Sequence, residues 1–276
     1  WFGRTWGRAT RGGERAIEPR RARPRIGLAL GGGFARGISH LGVLRVFERE
    51  QIPIDFLGGV SAGSIVATAY ASGATLDEIE SAARRMKFED VARWTFSWKG
   101  FADSRRMQRF LESVLRSHRF EEMRLPVCVV ATDLRSAGPV VFRDHGDVFL
   151  PVRASCSYPG LFLPIEHAGQ QLVDGGISME LPVEPVRAMG AEKVIAVHLP
   201  VEQGLVNTEH VVGVIHRSIQ VMQQQLEPRW RSRADLVITP AVGTVGWNDF
   251  EKTDAMIAAG ERAAWEALPI LREWLG

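Results

Sequence analysis

Short apolar runs rich in β-branched residues alternate with longer segments of helical period from residue 25 onward. The apolar runs predict strands, at residues 26–30, 54–60, 126–132, 140–143, 171–173, 193–199 and 235–239. The segments between them predict helices, at residues 39–50, 62–72, 103 or 104 to 117, 147–156, 183–189, 210–226 and 253–274, with a further helix opening at Thr75. Such alternation is typical of an α/β fold with a mainly parallel sheet and helices on both faces.

No repeat and no linker interrupts this alternation, so we predict one domain over residues 26–276. Residues 1–25 have no clear period and contain eight Arg and two Glu, a charge of +6 in a chain whose net charge is +2. We interpret them as a basic, flexible or loosely docked N-terminal arm. The arm is either a solvated tail or a contact for a peripheral membrane surface with anionic headgroups.

Composition narrows the class of protein further. Cys128 and Cys156 are too few for a disulfide framework, and their apolar neighbours predict small buried side chains. No apolar run reaches the roughly 18 residues that a membrane-spanning helix needs. We expect a cytoplasmic or peripherally membrane-associated protein. The sequence begins with Trp1 rather than Met, so we make no prediction about a targeting signal.

A serine lies at the junction between the second predicted strand and the next helix. Residues 59–63 read Gly-Val-Ser-Ala-Gly, a G-x-S-x-G pattern in the strand–turn–helix context that this motif requires. Such a turn projects the Ser61 hydroxyl from the sheet edge, and Gly59 and Gly63 let strand and helix approach without Cβ clashes. The helix N-terminus adds positive potential. Ser61 is therefore the candidate nucleophile.

A serine hydroxyl needs a base to accept its proton. Asp174 is the candidate because it ends a short apolar strand and is followed by Gly175 and Gly176. A tight turn there would point the carboxylate out of the strand end. An Asp-Gly-Gly turn without any chemistry has the same pattern, so this segment alone leaves both interpretations open.

A glycine-rich loop follows the first predicted strand. Residues 31–37 read GGGFARG and open the first helix. Clustered glycines expose backbone N–H groups, and a helix N-terminus concentrates them, so the loop can hold the oxyanion of an acyl-transfer intermediate. Arg36 either orients this loop or contacts a phosphate.

The three motifs, in this order, resemble those of the patatin-like phospholipases: G-G-G-x-R/K-G, then G-x-S-x-G, then D-G-G/A. The similarity runs from about residue 25 to residue 265, including IGLALGGGFARGISHLGVL and LVDGGISMELPV. The resemblance implies a three-layer α/β/α patatin-type sandwich with a mainly parallel central sheet. It also implies a Ser–Asp dyad without histidine, in which Ser61 is the nucleophile and Asp174 the base.

The resemblance further implies oxyanion donors from the backbone N–H groups of Gly32, Gly33 and Phe34. The supporting positions of the motifs are Arg36, Gly37, Gly59, Gly63, Gly175 and Gly176. The implied activity is lipid acyl hydrolysis of the phospholipase A or lysophospholipase type, through an acyl-enzyme, on a lipid ester substrate. It implies no metal or organic cofactor, and we expect no nucleic-acid partner.

Phe34 departs from the family pattern, which usually has a third glycine at this position. If the position requires a positive φ, Phe34 is strained by roughly 1–2 kcal/mol. The alternative interpretation is that its side chain gates the acyl pocket. A catalytically weak lipid-binding protein on the same fold therefore stays open as an alternative.

Two other functional hypotheses remain from the residues alone. His198, His210 and His216 follow Asp174 in the order that a Ser-Asp-His triad would need, whereas His40 is expected to be structural. The glycines at 31, 33 and 37, with Asp55 as a ribose-binding acid, would suit a dinucleotide-binding oxidoreductase. Against it, neither tyrosine is followed by lysine at the spacing of a short-chain reductase.

Aromatic residues cluster without a strong period at positions 88, 94, 96, 98 and 101. The cluster predicts either a lid or lipid-facing rim, or ordinary packing over the sheet. Trp247 and Trp265, by contrast, are expected in the core.

Overall fold

The computed structural model describes residues 23–86, 93–97, 100–202 and 208–276. Its strands are β1 (Ile26–Leu30), β2 (Phe56–Val60), β3 (Arg93–Ser97), β4 (Gly100–Asp103), β5 (Val127–Asp133), β6 (Gly138–Phe142), β7 (Ile165–His167), β8 (Gln170–Asp174), β9 (Lys193–Val197) and β10 (Leu236–Ile238). Its α-helices are α1 (Ser39–Arg49), α2 (Ala62–Ala71), α3 (Leu76–Arg85), α4 (Arg105–Val114), α5 (Phe149–Ser155), α6 (Val183–Ala188), α7 (Val211–Arg231) and α8 (Thr253–Leu275).

Eight strands form the central sheet, in the order β10-β9-β1-β2-β5-β8-β7, with β6 also paired to β5. The pairings from β10 to β5 are all parallel, as predicted, because helices connect those strands. The pairings of β6, β7 and β8 are antiparallel. The antiparallel end of the sheet and the separate β3–β4 hairpin are additions to the predicted fold.

Strand β5 brings two other strand ends together. Val130 of β5 pairs with Val60, and the next residue, Ala131, pairs with Asp174. On the other edge of β5, the same two residues pair with β6. Strands β2 and β8 therefore lie end to end along one edge of β5, and their carboxyl ends meet.

The side chains of the parallel strands enter two separate cores. On β1, Leu28 and Leu30 pack in a large cluster with α1, α2, α3 and α8, whereas Ala29 packs with α6 and Trp230 of α7. Alternate residues of a strand point to opposite faces of a sheet, so helices cover both faces. This is the predicted three-layer arrangement.

The predicted N-terminal arm lies outside the described residues except for residues 23–25. Arg23 donates two hydrogen bonds to the Asp55 carboxylate, at 2.7 and 2.8 Å. The Asp55 carboxylate also accepts the Ile26 N–H at 2.7 Å. These contacts fasten the chain to the amino ends of β1 and β2.

The predicted core position of Trp247 and Trp265 is wrong. Their side chains are 41% and 40% exposed. Trp265 lies on the outer side of α8, where the Arg49 guanidinium covers its ring at 5.4 Å. The cation–π contact with Arg49 stabilises the Trp265 ring in this exposed position.

The side chains of the predicted aromatic cluster at positions 88, 94, 96, 98 and 101 lie outside the described structure. Cys128 and Cys156 are both buried, as predicted. No helix in the described part of the chain combines the length and apolar composition that crossing a membrane requires.

Candidate active site

Ser61 lies in a strained turn between β2 and α2. Its backbone has φ 52° and ψ −127°, a conformation that residues with a side chain rarely adopt. The Ser61 N–H donates to Ser155 Oγ at 2.8 Å, and Ser64 Oγ donates to the Ser61 carbonyl at 2.6 Å. These two bonds hold the turn from both sides, so the side chain is fixed over the carboxyl edge of the sheet.

The glycines on either side of this turn allow β2 and α2 to pack closely. A Cβ atom at Gly59 would lie 2.4 Å from Ser64 Cα, and one at Gly63 would lie 2.4 Å from the Leu30 carbonyl oxygen. Both distances are shorter than any Cβ contact allows. Side chains at these positions would push the Ser61 turn away from β1 and the loop that follows it.

Asp174 ends β8 beside this turn, and the residue is 3% exposed. Burial raises the pKa of Asp174 from 3.8 to about 7, while hydrogen bonding from the Gly176 N–H and the Ser61 hydroxyl partly offsets the increase. The Gly176 N–H donates to Oδ1 at 2.8 Å. Oδ2 accepts no hydrogen bond of normal geometry within the described chain. It is therefore the oxygen with capacity to take a proton from Ser61.

The turn after Asp174 packs against β5. A Cβ atom at Gly175 would lie 2.2 Å from the Val130 carbonyl oxygen. Thr132 Oγ1 donates to the Asp174 carbonyl at 2.9 Å. The chain direction at the end of β8, and with it the carboxylate, is thus set by β5.

The glycine-rich loop passes directly beside Ser61. A Cβ atom at Gly32 would lie 3.0 Å from Ser61 Cβ and 3.7 Å from its Oγ. Internal hydrogen bonds engage the amides that flank the predicted donors: Gly31 N–H to Val197, Ala35 N–H to Trp247 and Arg36 N–H to Gly33. The predicted donor residues Gly32, Gly33 and Phe34 line the same cavity, of about 110 Å³, as Ser61 and Asp174.

Arg36 and Gly37 support the loop from behind. Arg36 is 4% exposed, and its Nε donates to the Gly33 carbonyl at 3.2 Å. Burial lowers the pKa of Arg36 to about 10. A Cβ atom at Gly37 would lie 2.6 Å from Ala62 Cβ, so this glycine lets the 3₁₀ helix Phe34–Ile38 pack on α2. Of the two predicted roles of Arg36, the geometry favours orientation of the loop.

The sequence profile of the patatin-like phospholipases matches residues 28–187, more than half of the chain. The chain belongs to the patatin-like phospholipase family. Patatin-like phospholipase domain-containing protein 6 of Mus musculus is 33% identical over 180 residues, which are 62% of this chain and 13% of that protein. Lysophospholipase NTE1 of Mycosarcoma maydis is 34% identical over 178 residues, 62% of this chain and 9% of that protein. This chain therefore corresponds to a small part of these relatives.

The crystal structure of VipD from Legionella pneumophila has a similar fold, with a TM-score of 0.59 at 13% identity. The match covers 90% of this chain and 67% of VipD. Together with the observed layers, this similarity confirms the patatin-type α/β/α sandwich.

Phe34 stands where the family pattern has glycine, and its φ is 52°. The condition for strain at this position is therefore met. The Phe34 ring makes edge contacts with Tyr158 and Trp247, at centroid distances of 5.0 and 5.5 Å. These contacts offset part of the strain and hold the ring at the side of the patatin-like site.

Three histidines of this patatin-like domain bond to groups other than Ser61 and Asp174. His198 Nε2 lies 3.1 Å from Glu180 Oε1, and His216 Nδ1 lies 2.8 Å from the Tyr158 hydroxyl. His40 Nε2 bonds to the Gly31 carbonyl at 2.9 Å, and burial lowers its pKa to about 4. No hydrogen bond in the described chain joins a histidine to Asp174, so the geometry favours the dyad over a triad. The His198–Glu180 pair was missed because nothing local in the sequence links residues 180 and 198.

The position of Asp55 argues against the dinucleotide-binding hypothesis. Asp55 precedes β2, at the opposite end of that strand from Ser61. Its carboxylate is bonded to Arg23 and to the Ile26 N–H. A ribose held at the carboxyl edge of the sheet would not reach it.

Proposed function

We propose that this domain is a lipid acyl hydrolase of the phospholipase A or lysophospholipase type, with Ser61 as nucleophile and Asp174 as base. The main support is one juxtaposition: the Ser61 hydroxyl and a buried Asp174 carboxylate with an unsatisfied Oδ2 share a cavity beside a glycine-rich loop. Family membership supports a lipid substrate, and one relative bears the name lysophospholipase.

In the proposed reaction, Asp174 Oδ2 accepts the Ser61 proton as Ser61 Oγ attacks the ester carbonyl. The carbonyl π electrons move to oxygen, and the amides of Gly32, Gly33 and Phe34 stabilise that oxyanion. The C–O bond to the alcohol then breaks, and the alcohol leaves with the proton from Asp174. Water, deprotonated by Asp174, attacks the acyl-enzyme and releases the fatty acid and the Ser61 hydroxyl.

Burial of Asp174 suits this role. A carboxylate with an ordinary pKa is a weak base, and raising its pKa to about 7 brings it near the range in which general bases are effective. The same buried site keeps the oxyanion donors in a low-dielectric environment, where each is stronger than in water.

The test compares wild type, Ser61→Ala and Asp174→Asn in hydrolysis of p-nitrophenyl esters of graded chain length. We expect each variant to lose at least about 10³-fold in kcat, as removal of a nucleophile or its base does in other serine hydrolases. Ser113→Ala on the exposed side of α4 and Asp144→Asn in an exposed turn are matched controls. Equal rates in all five proteins would refute the assignment.

The positive φ of Phe34 favours a second candidate, a lipid-binding protein with a weak oxyanion site. An alkyl fluorophosphonate separates the two functions, because it needs a reactive Ser61 and an oxyanion site but no deacylation. Rapid labelling of Ser61 together with ester turnover supports the hydrolase. Binding of lipid without labelling, in a folded sample, supports the second candidate.

A further inference from the structure

A second cavity lies behind the catalytic one. Its volume is about 360 Å³, within the range of small-molecule sites. The residues at positions 158–161, 210–216 and 243–247 contribute most of its walls. Five residues line both cavities: Phe34, Arg36, Tyr158, Val201 and His216. The two cavities therefore adjoin, and these five residues form the layer of side chains at their boundary.

The Phe34 ring contacts two other members of this layer. Tyr158 packs on one side of it at 5.0 Å, and His216 lies at a centroid distance of 6.4 Å. The Tyr158 hydroxyl bonds to His216 Nδ1, so these two side chains form a fixed frame. Phe34 itself is held by ring contacts rather than by hydrogen bonds, so its ring can rotate without leaving a buried polar group unpaired.

The two cavities differ in polarity. Beyond the shared residues, the second cavity is lined mainly by the apolar side chains of Leu161, Val212, Val245 and Trp247, with His210 and Thr244 as the polar side chains. Beyond the dyad, its loop and the shared residues, the side chains of the catalytic cavity are mostly polar. They are Glu180, His198, Gln220, Gln223, Gln224 and Glu227, with Leu199 and Pro200 as the apolar exceptions. A lipid ester has the same division, with an apolar acyl chain on one side of its carbonyl and a polar alcohol on the other.

We propose that the second cavity receives the acyl chain of the ester that Ser61 attacks, and that the Phe34 ring gates it and sets chain-length preference. This inference rests on the proposed hydrolase function and deepens it. The polar part of the catalytic cavity then holds the alcohol. Phe34 thus has two roles: its amide is a predicted oxyanion donor, and its ring is the partition that a chain must displace.

The proposal predicts how rates depend on chain length. Each methylene buried contributes about 0.8 kcal/mol, which corresponds to about a fourfold increase in kcat/KM. Octanoate has four more methylenes than butyrate, so filling or opening the cavity should change the octanoate-to-butyrate ratio of kcat/KM. Both p-nitrophenyl esters are used below the concentration at which they aggregate.

Val212→Trp fills the apolar cavity from α7, and we expect the octanoate-to-butyrate ratio to fall at least about tenfold. Val211→Trp is the matched control, because Val211 is the preceding residue of the same helix and is 74% exposed. It should leave the ratio unchanged. If Val212→Trp does not fold, Thr244→Trp fills the same cavity from the exposed loop.

Phe34→Gly removes the partition and supplies the residue that suits a positive φ. We expect the ratio to rise several-fold, opposite in sign to Val212→Trp. Ser61-dependent hydrolysis with a ratio that neither substitution changes would overturn this inference alone. Hydrolysis that does not depend on Ser61 would overturn the proposed function and the inference with it.

Discussion

At the residue scale, the proposed catalytic carboxylate lies where its burial destabilises the fold. Asp174 has a pKa raised from 3.8 to about 7, so the folded state favours its protonated form. The resulting penalty is absent below about pH 4, grows between pH 4 and 7, and is fully present above about pH 7. At about 1.4 kcal/mol per pKa unit, the full penalty is on the order of 4 kcal/mol.

Asp174→Asn should therefore stabilise the protein relative to wild type, increasingly so as the pH rises. Between pH 5 and pH 8 we expect the difference in unfolding free energy between variant and wild type to grow by about 2–3 kcal/mol. Urea denaturation of both proteins at the two pH values measures it, with Asp144→Asn as an exposed control. Parallel pH dependences for Asp174→Asn and wild type would contradict the desolvation of this buried carboxylate.

The same pKa predicts the pH dependence of the reaction. Asp174 can accept the Ser61 proton only when it is ionised, so kcat/KM should rise through about pH 7. At pH 5 we expect a rate about 100-fold below the plateau reached near pH 9. The check is a profile of p-nitrophenyl butyrate hydrolysis from pH 5 to 9, corrected for spontaneous hydrolysis. A flat profile over this range would show that another group is the base.

Sequence patterns could identify some features of the candidate site but not others. Ser61 and Asp174 could be chosen as candidates because each belongs to a local motif with glycines at fixed spacing. The open Oδ2 of Asp174 and the Tyr158–His216 frame around Phe34 could not be predicted, because each depends on contacts between segments distant in the chain. The sequence shows that Phe34 replaces a glycine of the family pattern, but it does not show the backbone conformation. Strain at Phe34 could therefore be predicted only for the case that its φ is positive.

At the element scale, close packing of β2 and α2 against the glycine-rich loop sets the geometry of the candidate site. Gly63→Ala would place a Cβ atom 2.4 Å from the Leu30 carbonyl oxygen and 2.6 Å from that of Gly31. Because both are backbone atoms, the loop must shift. We expect a loss of about 1–3 kcal/mol in stability and a larger proportional loss in kcat than in substrate binding.

Thermal unfolding and steady-state kinetics test Gly63→Ala, with Gly138→Ala as the matched control. At Gly138, at the start of β6, the nearest atom to an added Cβ is 4.0 Å away. The control should retain both stability and activity. If Gly63→Ala behaves as Gly138→Ala does, the packing of the turn does not position the loop.

Most elements were predictable because their apolar period is long or their boundaries have clear signals. The capping box of Thr75 and Glu78 is present as predicted, with bonds of 2.8 and 3.2 Å. Strand β7 has three residues, too few for a period, and it exists only through pairing with β8. The helix predicted to run to residue 117 ends at Val114, where Leu115 turns extended.

At the scale of the whole molecule, strand order decides which motifs meet. Parallel pairing of β2 and antiparallel pairing of β8 along one edge of β5 bring Ser61 and Asp174 together. Strand order is a property of tertiary packing, so residue patterns alone do not determine it. The family resemblance supplied it here, because the resemblance carries a complete fold.

The two ends of the sheet should separate stability from catalysis. Asp55 and Ser61 flank β2, a strand of five residues, and hydrogen bonding from Arg23 lowers the pKa of Asp55. Asp55→Asn weakens the bonds that fasten residues 23–26, and we expect a loss of about 1–2 kcal/mol in stability at pH 8. It should leave kcat unchanged. Asp174→Asn, by contrast, should increase the unfolding free energy and lower kcat. Urea denaturation and ester hydrolysis of the two variants in parallel make the comparison. A folded Asp55→Asn protein with strongly reduced kcat would mean that the amino end of the sheet also positions the dyad.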